Sequence, residues 1–273
     1  MITSNGKVGP ERANWWPVLR RSHSDGDAAK RRRADEEPLR AELFSVSQLE
    51  QHARVLAGLH EVGPSGRKQD RLLPRLAANE EVLAEAYSSI TEALKDGRGI
   101  TPAAEWLLDN YHLIEEQIRT ARRHLPGRYN RELPRLANPS SLGHPRVYDI
   151  AIELISHADG RIDIEGVRAF VAAYQAVTPL RLGELWAIPI MLRLALLENL
   201  RRVSATVTAG QRERDRAGQW VDRMIEIAAK EPANVVLVLA DLVKETPTPT
   251  TAFLAELAGR VQARGPTLGI AMS

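Results

Sequence analysis

The chain has 273 residues, of which 44% are hydrophobic and 26% charged, a composition that is ordinary for a soluble globular protein. It contains no cysteine, which excludes disulfides, thiol catalysis and cysteine-ligated metal centres. Lysine and arginine total 37 against 35 acidic residues, but residues 1–33 alone hold eight basic and three acidic side chains, so the remainder is net negative. Because the positive excess lies in residues 1–33, the distribution argues against nucleic-acid binding by the folded part of the chain.

The amino-terminal stretch, residues 1–38, is rich in Gly, Pro, Ser, Asp and Arg and predicts a disordered basic tail. It lacks the apolar segment of a secretory signal. The most apolar run, residues 185–192, is only eight residues long, whereas a membrane-spanning helix needs about 20. We therefore expect a cytoplasmic chain without a membrane span and without a nucleic-acid partner.

From residue 39 onward the apolar spacing is helical, which predicts an all-α fold, either a multi-helix bundle or a stacked helical array. The helical domain, 39–273, is either one unit or two subdomains, 39–137 and 138–273. The predicted helices are 39–61, 69–95, 102–124, 128–136, 146–157, 164–176, 180–205, 209–229, 233–244 and 250–264. The β-branched run 234–240 also fits a buried strand, but no partner strand is in view, so helix is favoured.

Two local patterns predict helix starts, namely a capping box and a hydroxyl residue followed by proline. The capping box occurs at Ser47–Glu50 and Thr208–Gln211, and the hydroxyl–proline pair at Thr101–Pro102 and Thr178–Pro179. Asp163 is predicted to cap the helix that follows it. At the other end of the chain the final residues are apolar, which is typical of a sequence cut inside an element.

The most apolar of the predicted helices nevertheless contains Glu184, Arg193 and Glu198. Charged groups on a buried helix need partners. We therefore predict a structural polar network that links these three side chains to neighbouring helices, with Arg146 and Tyr148 as candidate partners. A ligand pocket at the same place is the alternative.

A stripe of Glu105, Asp109, His112 and Glu116 lies on one face of helix 102–124. The spacing Asp109-x-x-His112 is that of half a di-metal carboxylate site, but a second Glu-x-x-His helix is absent from the sequence. The stripe is therefore predicted to be a solvated face. The residues predict no catalytic, cofactor-binding or metal-binding site.

Several spaced blocks, in order, resemble the N-terminal region of cyclic β-1,2-glucan synthases, and the resemblance covers residues 40–270. The blocks are 100–112 (ITPAAEWLLDNYH), 133–136 (LPRL), 145–148 (PRVY), 183–187 (GELWA) and 197–202 (LENLRR). The resemblance implies a relationship to large bacterial inner-membrane glycosyltransferases that polymerise glucose from UDP-glucose into a cyclic glucan. No catalytic residue of that family has a matching position here.

The resemblance therefore implies a non-catalytic helical module, truncated before the catalytic domains. Its partners would be the transferase and membrane parts of a synthase, and no cofactor is implied. A free-standing helical adaptor that binds a protein partner or glucan is a second hypothesis. A helical metal-dependent enzyme is a third, against which the missing second Glu-x-x-His counts.

Overall fold

The structure, a computed structural model, describes residues 37–63, 72–125, 132–138 and 141–264. Within these residues it contains eight α-helices and no β-strand, which confirms the all-α prediction. The helices are α1 (Val46–Leu59), α2 (Leu72–Lys95), α3 (Pro102–His124), α4 (Arg146–His157), α5 (Ile164–Gln175), α6 (Leu182–Lys230), α7 (Val235–Glu245) and α8 (Thr251–Ala263), with a 3₁₀ turn at Pro232–Asn234. The predicted tail lies outside the described residues, except for its last two.

Helix α6 organises the described part of the chain. It has 49 residues, so it is about 74 Å long. Its first half packs against α2, α3 and α4, and its second half against α7 and α8, while α1 packs against α5. Two apolar clusters result. The first includes buried residues of α6 up to Leu197, and the second includes those from Ala217 onward. In the described ranges, no helix is both long enough and apolar enough to cross a bilayer.

Two of the predicted helix caps are confirmed. The Thr101 hydroxyl accepts a hydrogen bond from the backbone N–H of Ala104 (3.2 Å), and proline follows it at the first position of α3. The Asp163 carboxylate accepts from the backbone N–H of Gly166 (2.9 Å) at the start of α5. Both caps are local interactions within one turn, so the sequence pattern alone identifies them.

The start of the first helix was predicted too early. The capping box is formed by Ser45 and Gln48, not by Ser47–Glu50, and α1 begins at Val46. Before it, the backbone N–H of Phe44 donates to the carbonyl oxygen of His157 (3.2 Å). This tertiary contact holds residues 39–45 in a non-helical conformation against the end of α4.

The predicted break between helices 180–205 and 209–229 is wrong, because α6 is continuous there. Thr208 lies in the helix interior, and its hydroxyl donates to the carbonyl of Ser204 (3.0 Å) one turn earlier. The Gln211 side chain donates to the carbonyl of Gly99 (2.9 Å) instead of capping. The pattern that suggested a cap therefore lies inside α6, where Gln211 attaches the turn between α2 and α3 to the middle of the helix.

The Thr178–Pro179 signal is also wrong as a helix start. The helix begins at Leu182 with Arg181 in the cap position. The hydroxyl of Thr178 instead donates to the carbonyl of Ala57 near the end of α1 (3.1 Å). The residue therefore satisfies a carbonyl at the C-terminal end of a helix that is distant in sequence.

Part of the predicted helix 128–136 lies outside the described residues, and its last four residues are not helical. The carbonyl of Arg135 accepts from the N–H of Gly63 (3.0 Å), and the N–H of Leu136 donates to the carbonyl of His144 (2.9 Å). These bonds form two isolated antiparallel bridges. The prediction failed because Gly63 is remote in sequence and because His144, eight residues from Leu136, lies beyond the spacing of a helical hydrogen bond.

Phe253 of α8 anchors the second apolar cluster and is 1% exposed. Phe253→Ala is expected to lower the free energy of unfolding by about 3–5 kcal/mol, because it removes a fully buried ring and leaves a cavity. The neighbouring Leu254 is 49% exposed, so Leu254→Ala is the matched control and should change stability by less than about 0.5 kcal/mol. Urea unfolding followed by circular dichroism measures both, and equal effects would contradict the packing described.

Candidate functional site

Glu198, in the first half of α6, is 0% exposed and accepts hydrogen bonds from three arginines. Arg75 of α2 donates to both of its carboxylate oxygens, from Nε to Oε2 (3.0 Å) and from Nη2 to Oε1 (2.6 Å). Asn79, one turn further along α2, donates to Oε2 (2.8 Å). Arg201 and Arg202 of α6 donate to Oε1 at 3.0 and 3.1 Å. We call these five residues the Glu198 cluster.

The arginines determine the ionisation state of Glu198. Burial alone would raise the pKa of the Glu198 carboxyl, but the charge and hydrogen bonds of Arg75, with the charges of Arg201 and Arg202, lower it well below its ordinary value. Tyr148 of α4 lies within electrostatic range of this cluster, and burial raises the pKa of its phenol to about 12. The carboxylate is thus ionised, and the phenol neutral, at any physiological pH.

A second buried ion pair joins the starts of α4 and α6. Arg146 donates in a bidentate manner to Glu184, from Nε to Oε1 (2.9 Å) and from Nη2 to Oε2 (2.6 Å). The same carboxylate accepts from the backbone N–H of Arg181 (2.9 Å) and so helps to cap α6. We call this contact the Arg146–Glu184 pair.

Of the five predicted network residues, Arg146 and Glu184 form one buried pair and Glu198 belongs to the other buried cluster. Tyr148 is buried within electrostatic range of the Glu198 cluster. The fifth, Arg193, donates from Nε to the side-chain oxygen of Gln117 on α3 (2.9 Å) in an exposed position. The prediction missed Arg75 and Asn79, the partners that α2 supplies. Arg75 and Asn79 are four residues apart, which places two polar groups on the same face of a helix as its buried apolar residues. That spacing could have indicated a buried polar partner for them.

A chain of hydrogen bonds that sequence reasoning also missed runs between α4, α1 and α5. Ser141 donates to Asp149 Oδ1 (2.7 Å), Asp149 Oδ2 lies 3.1 Å from His60 Nε2, and His60 Nδ1 lies 2.8 Å from the Tyr174 hydroxyl. Burial raises the pKa of Tyr174 to about 12. A carboxylate, imidazole and phenol in series can relay a proton, but Tyr174 is 0% exposed and so has no access to a substrate.

A fourth polar group lies nearer the surface, where His52 of α1 meets Glu153 and His157 of α4. The ligand-type atoms of these three side chains all lie within 4.8 Å of one another. Burial alone would raise the pKa of Glu153, but hydrogen bonds with His157 and His52 outweigh it and lower the pKa to about 2. Although burial lowers the pKa of His157, the contact with Glu153 raises it overall.

The acidic stripe of α3 is a solvated face, as predicted. Its members are all exposed, namely Glu105, Asp109, His112 and Glu116. Without a facing set of ligands, the spacing Asp109-x-x-His112 therefore forms no di-metal site among the described residues.

A cavity of about 190 Å³ lies between α3 and α6. Its lining consists of Ala103, Trp106, Leu107, Leu200, Val203, Ser204 and Val207. The walls contain one hydroxyl and no charged side chain, so the chemistry suits an apolar group and not a diphosphate.

Comparison with curated proteins finds a relative of this chain. Over 224 residues, the chain is 32% identical to the cyclic β-(1,2)-glucan synthase NdvB of Rhizobium meliloti (strain 1021). The matched stretch covers 82% of this chain and 8% of that relative, so the chain spans a small part of its length. No family model matches the chain. The resemblance to cyclic β-1,2-glucan synthases inferred from the sequence blocks is therefore confirmed.

Glu198→Gln tests the energetic importance of the Glu198 cluster. At pH 7 we expect a loss of about 3–5 kcal/mol in the free energy of unfolding, because three guanidinium groups lose the anion that compensates their burial. A failure of this variant to fold would agree with that expectation.

The loss should depend on pH in a defined direction. The folded-state pKa of Glu198 is lowered, so its contribution is complete above the ordinary glutamate pKa of 4.5 and is lost as the pH falls through the lower folded-state value. The difference between wild type and variant should therefore shrink below pH 4.5. Urea unfolding between pH 7 and pH 3 measures it, with Glu116→Gln as the exposed control. A variant as stable as that control at pH 7 would refute the assignment.

Proposed function

We propose that this chain, a relative of cyclic β-1,2-glucan synthases over most of its length, is a helical region that supports glucose transfer carried out by another part of a synthase polypeptide. The observation that carries the proposal is the internal pairing of its buried charges. Arg75, Arg146 and Arg201 all donate to buried carboxylates of α6. These contacts join helices and engage the guanidinium groups in bonds within the chain.

The groups required to bind the donor substrate also support the proposal that glucose transfer takes place elsewhere. UDP-glucose carries a diphosphate, which proteins bind with guanidinium or ammonium groups, metal ions or helix N-termini. The cavity between α3 and α6 offers apolar side chains instead. Two arginines that could have bound a phosphate, the buried Arg146 and the half-buried Arg75, are bonded to Glu184 and Glu198.

An apolar surface on α7 supports the proposal that the chain docks on a partner. One face of this helix packs on α6 through Val235, Val238 and Leu242, which are buried. A different side of the helix exposes Val236 (69%) and Val243 (71%), which are seven residues apart and so lie on one helical face. We call these two residues the α7 stripe.

The occupant we assign to the α7 stripe is an apolar surface of the synthase itself. The matched stretch covers 8% of the Rhizobium meliloti relative, so most of that polypeptide lies outside it. A surface that pairs with a permanent neighbour in the same polypeptide can be apolar without a solubility penalty, since it is never exposed in the assembled enzyme.

The docking proposal can be tested in a chimaera of the Rhizobium meliloti synthase in which the matched stretch is replaced by this whole chain. The double variant Val236→Asp/Val243→Asp should lower cyclic glucan per cell several-fold, because two carboxylates must then be buried at the interface. Both side chains are exposed within the chain itself, so its own fold should persist.

The matched control is Val55→Asp on α1, where the side chain is 54% exposed. It should leave both glucan and synthase abundance unchanged. Equal glucan from the double variant and the control would remove the α7 stripe as a docking surface. A normally accumulating chimaera with the unmodified chain that makes no glucan would favour a free-standing adaptor.

The second test concerns chemistry. The purified chain, incubated with radiolabelled UDP-glucose, is expected to transfer no label into polymer, because the proposal places the transfer reaction elsewhere. Membranes that contain the Rhizobium meliloti synthase provide the positive control. Label in polymer above the protein-free blank would overturn the proposal.

A further inference from the structure

Three side chains from two helices direct ligand atoms towards one point at the edge of the first apolar cluster. Glu153 and His157 are four residues apart on α4 and so lie on one face, and His52 reaches the same place from α1. His52 Nε2 lies 2.9 Å, and His157 Nε2 3.6 Å, from the same oxygen, Glu153 Oε2. A tetrahedral ion with bonds of about 2.0–2.2 Å would hold such atoms roughly 3.3–3.5 Å apart, between these two distances.

The hydrogen bond on the far side of His157 fixes which ring nitrogen can bind a cation. His157 Nδ1 lies 2.8 Å from the carbonyl oxygen of Glu42. A carbonyl can only accept, so Nδ1 carries the hydrogen, and the neutral ring presents the Nε2 lone pair to Glu153. A backbone carbonyl that orients an imidazole in this way is the usual outer partner of a metal-bound histidine.

Packing holds the rings in place. The Phe44 ring stacks on His157 with centroids 3.9 Å apart and planes 8° from parallel, and it also meets His52 edge-on at 5.5 Å. The side chains of His52, Glu153 and His157 keep 25%, 14% and 12% of their surface exposed. The site is therefore preorganised yet open enough for an ion to enter.

We propose that His52 Nε2, Glu153 Oε2 and His157 Nε2 bind one zinc-class divalent cation, with water in the fourth position. Two imidazoles and one carboxylate form a donor set that suits Zn²⁺ and not Mg²⁺ or Ca²⁺, which require oxygen ligands. The ion would link α1 to α4 and, through Glu42 and Phe44, secure the segment that precedes α1. The proposal is independent of the proposed function.

The metal-free full chain, prepared by dialysis against a chelator, tests the proposal by titration with Zn²⁺ alone. Calorimetry should give one ion per chain, and the melting temperature should rise with zinc concentration, because the ion binds the folded chain preferentially. Co²⁺ in place of Zn²⁺ should give the visible absorption of a four-coordinate site.

Matched variants locate the ion. His52→Gln and His157→Gln should each weaken zinc binding at least tenfold, while His112→Gln on the exposed face of α3 should leave it unchanged. Glu153→Gln keeps the size of the side chain, removes its charge and should also weaken binding. Should a variant fail to fold, X-ray absorption at the zinc edge of the wild-type complex decides, since two imidazole nitrogens at about 2.0–2.1 Å are expected.

The opposing interpretation is a proton-mediated contact between Glu153 and the two histidines, without any metal. It predicts that zinc changes neither the melting temperature nor the calorimetric trace. That result would overturn the proposal, and so would undiminished zinc binding by the double variant His52→Gln/His157→Gln.

Discussion

Glu198 lies in the chain interior, and its negative charge is compensated by three arginines, one from α2 and two from the next turn of α6. Removing four charged groups from water costs several kcal/mol each, and only close, well-directed hydrogen bonds offset that cost. Each alternative position of α2 along α6 would separate Arg75 and Asn79 from their acceptor. The cluster therefore fixes the register of these helices more strictly than apolar contacts would. The Arg146–Glu184 pair does the same where α4 meets the start of α6.

One helix, α6, contributes residues to both apolar clusters. The first half of α6 is covered by α2, α3 and α4, and the second half by α7 and α8. Between them the helix carries buried polar groups, including Thr208 and Gln211, whose bonds to Ser204 and Gly99 keep that stretch helical and attached to the α2–α3 turn. This 49-residue helix thus has polar contacts at its centre and an apolar cluster at each end, an arrangement consistent with the proposed supporting role.

The sequence was sufficient where the deciding interactions are local. The cap at Thr101 and the bounds of α3 follow from one turn of chain, and the all-α fold follows from apolar spacing. It was insufficient where the partner is remote: Thr208 had the pattern of a cap but lies within a helix, and the segment before α1 is non-helical because Phe44 bonds to His157. The α2 partner of Glu198 is remote in the same sense, so Glu198 was predicted to need a partner while Arg75, 123 positions away, was not predicted to supply one. Arg193 illustrates the converse, since its apolar neighbours in sequence leave the side chain partly exposed.

In the proposed function, these helices position chemistry performed elsewhere in a synthase. The most direct measurement is a cryo-electron-microscopy structure, with UDP-glucose bound, of a full synthase that carries this chain. The account predicts that the Glu198 cluster stays closed, that the α7 stripe is covered by another part of the polypeptide, and that the nucleotide lies outside these helices. UDP-glucose held among the helices of this chain, with its diphosphate on Arg75 or Arg146, would contradict it.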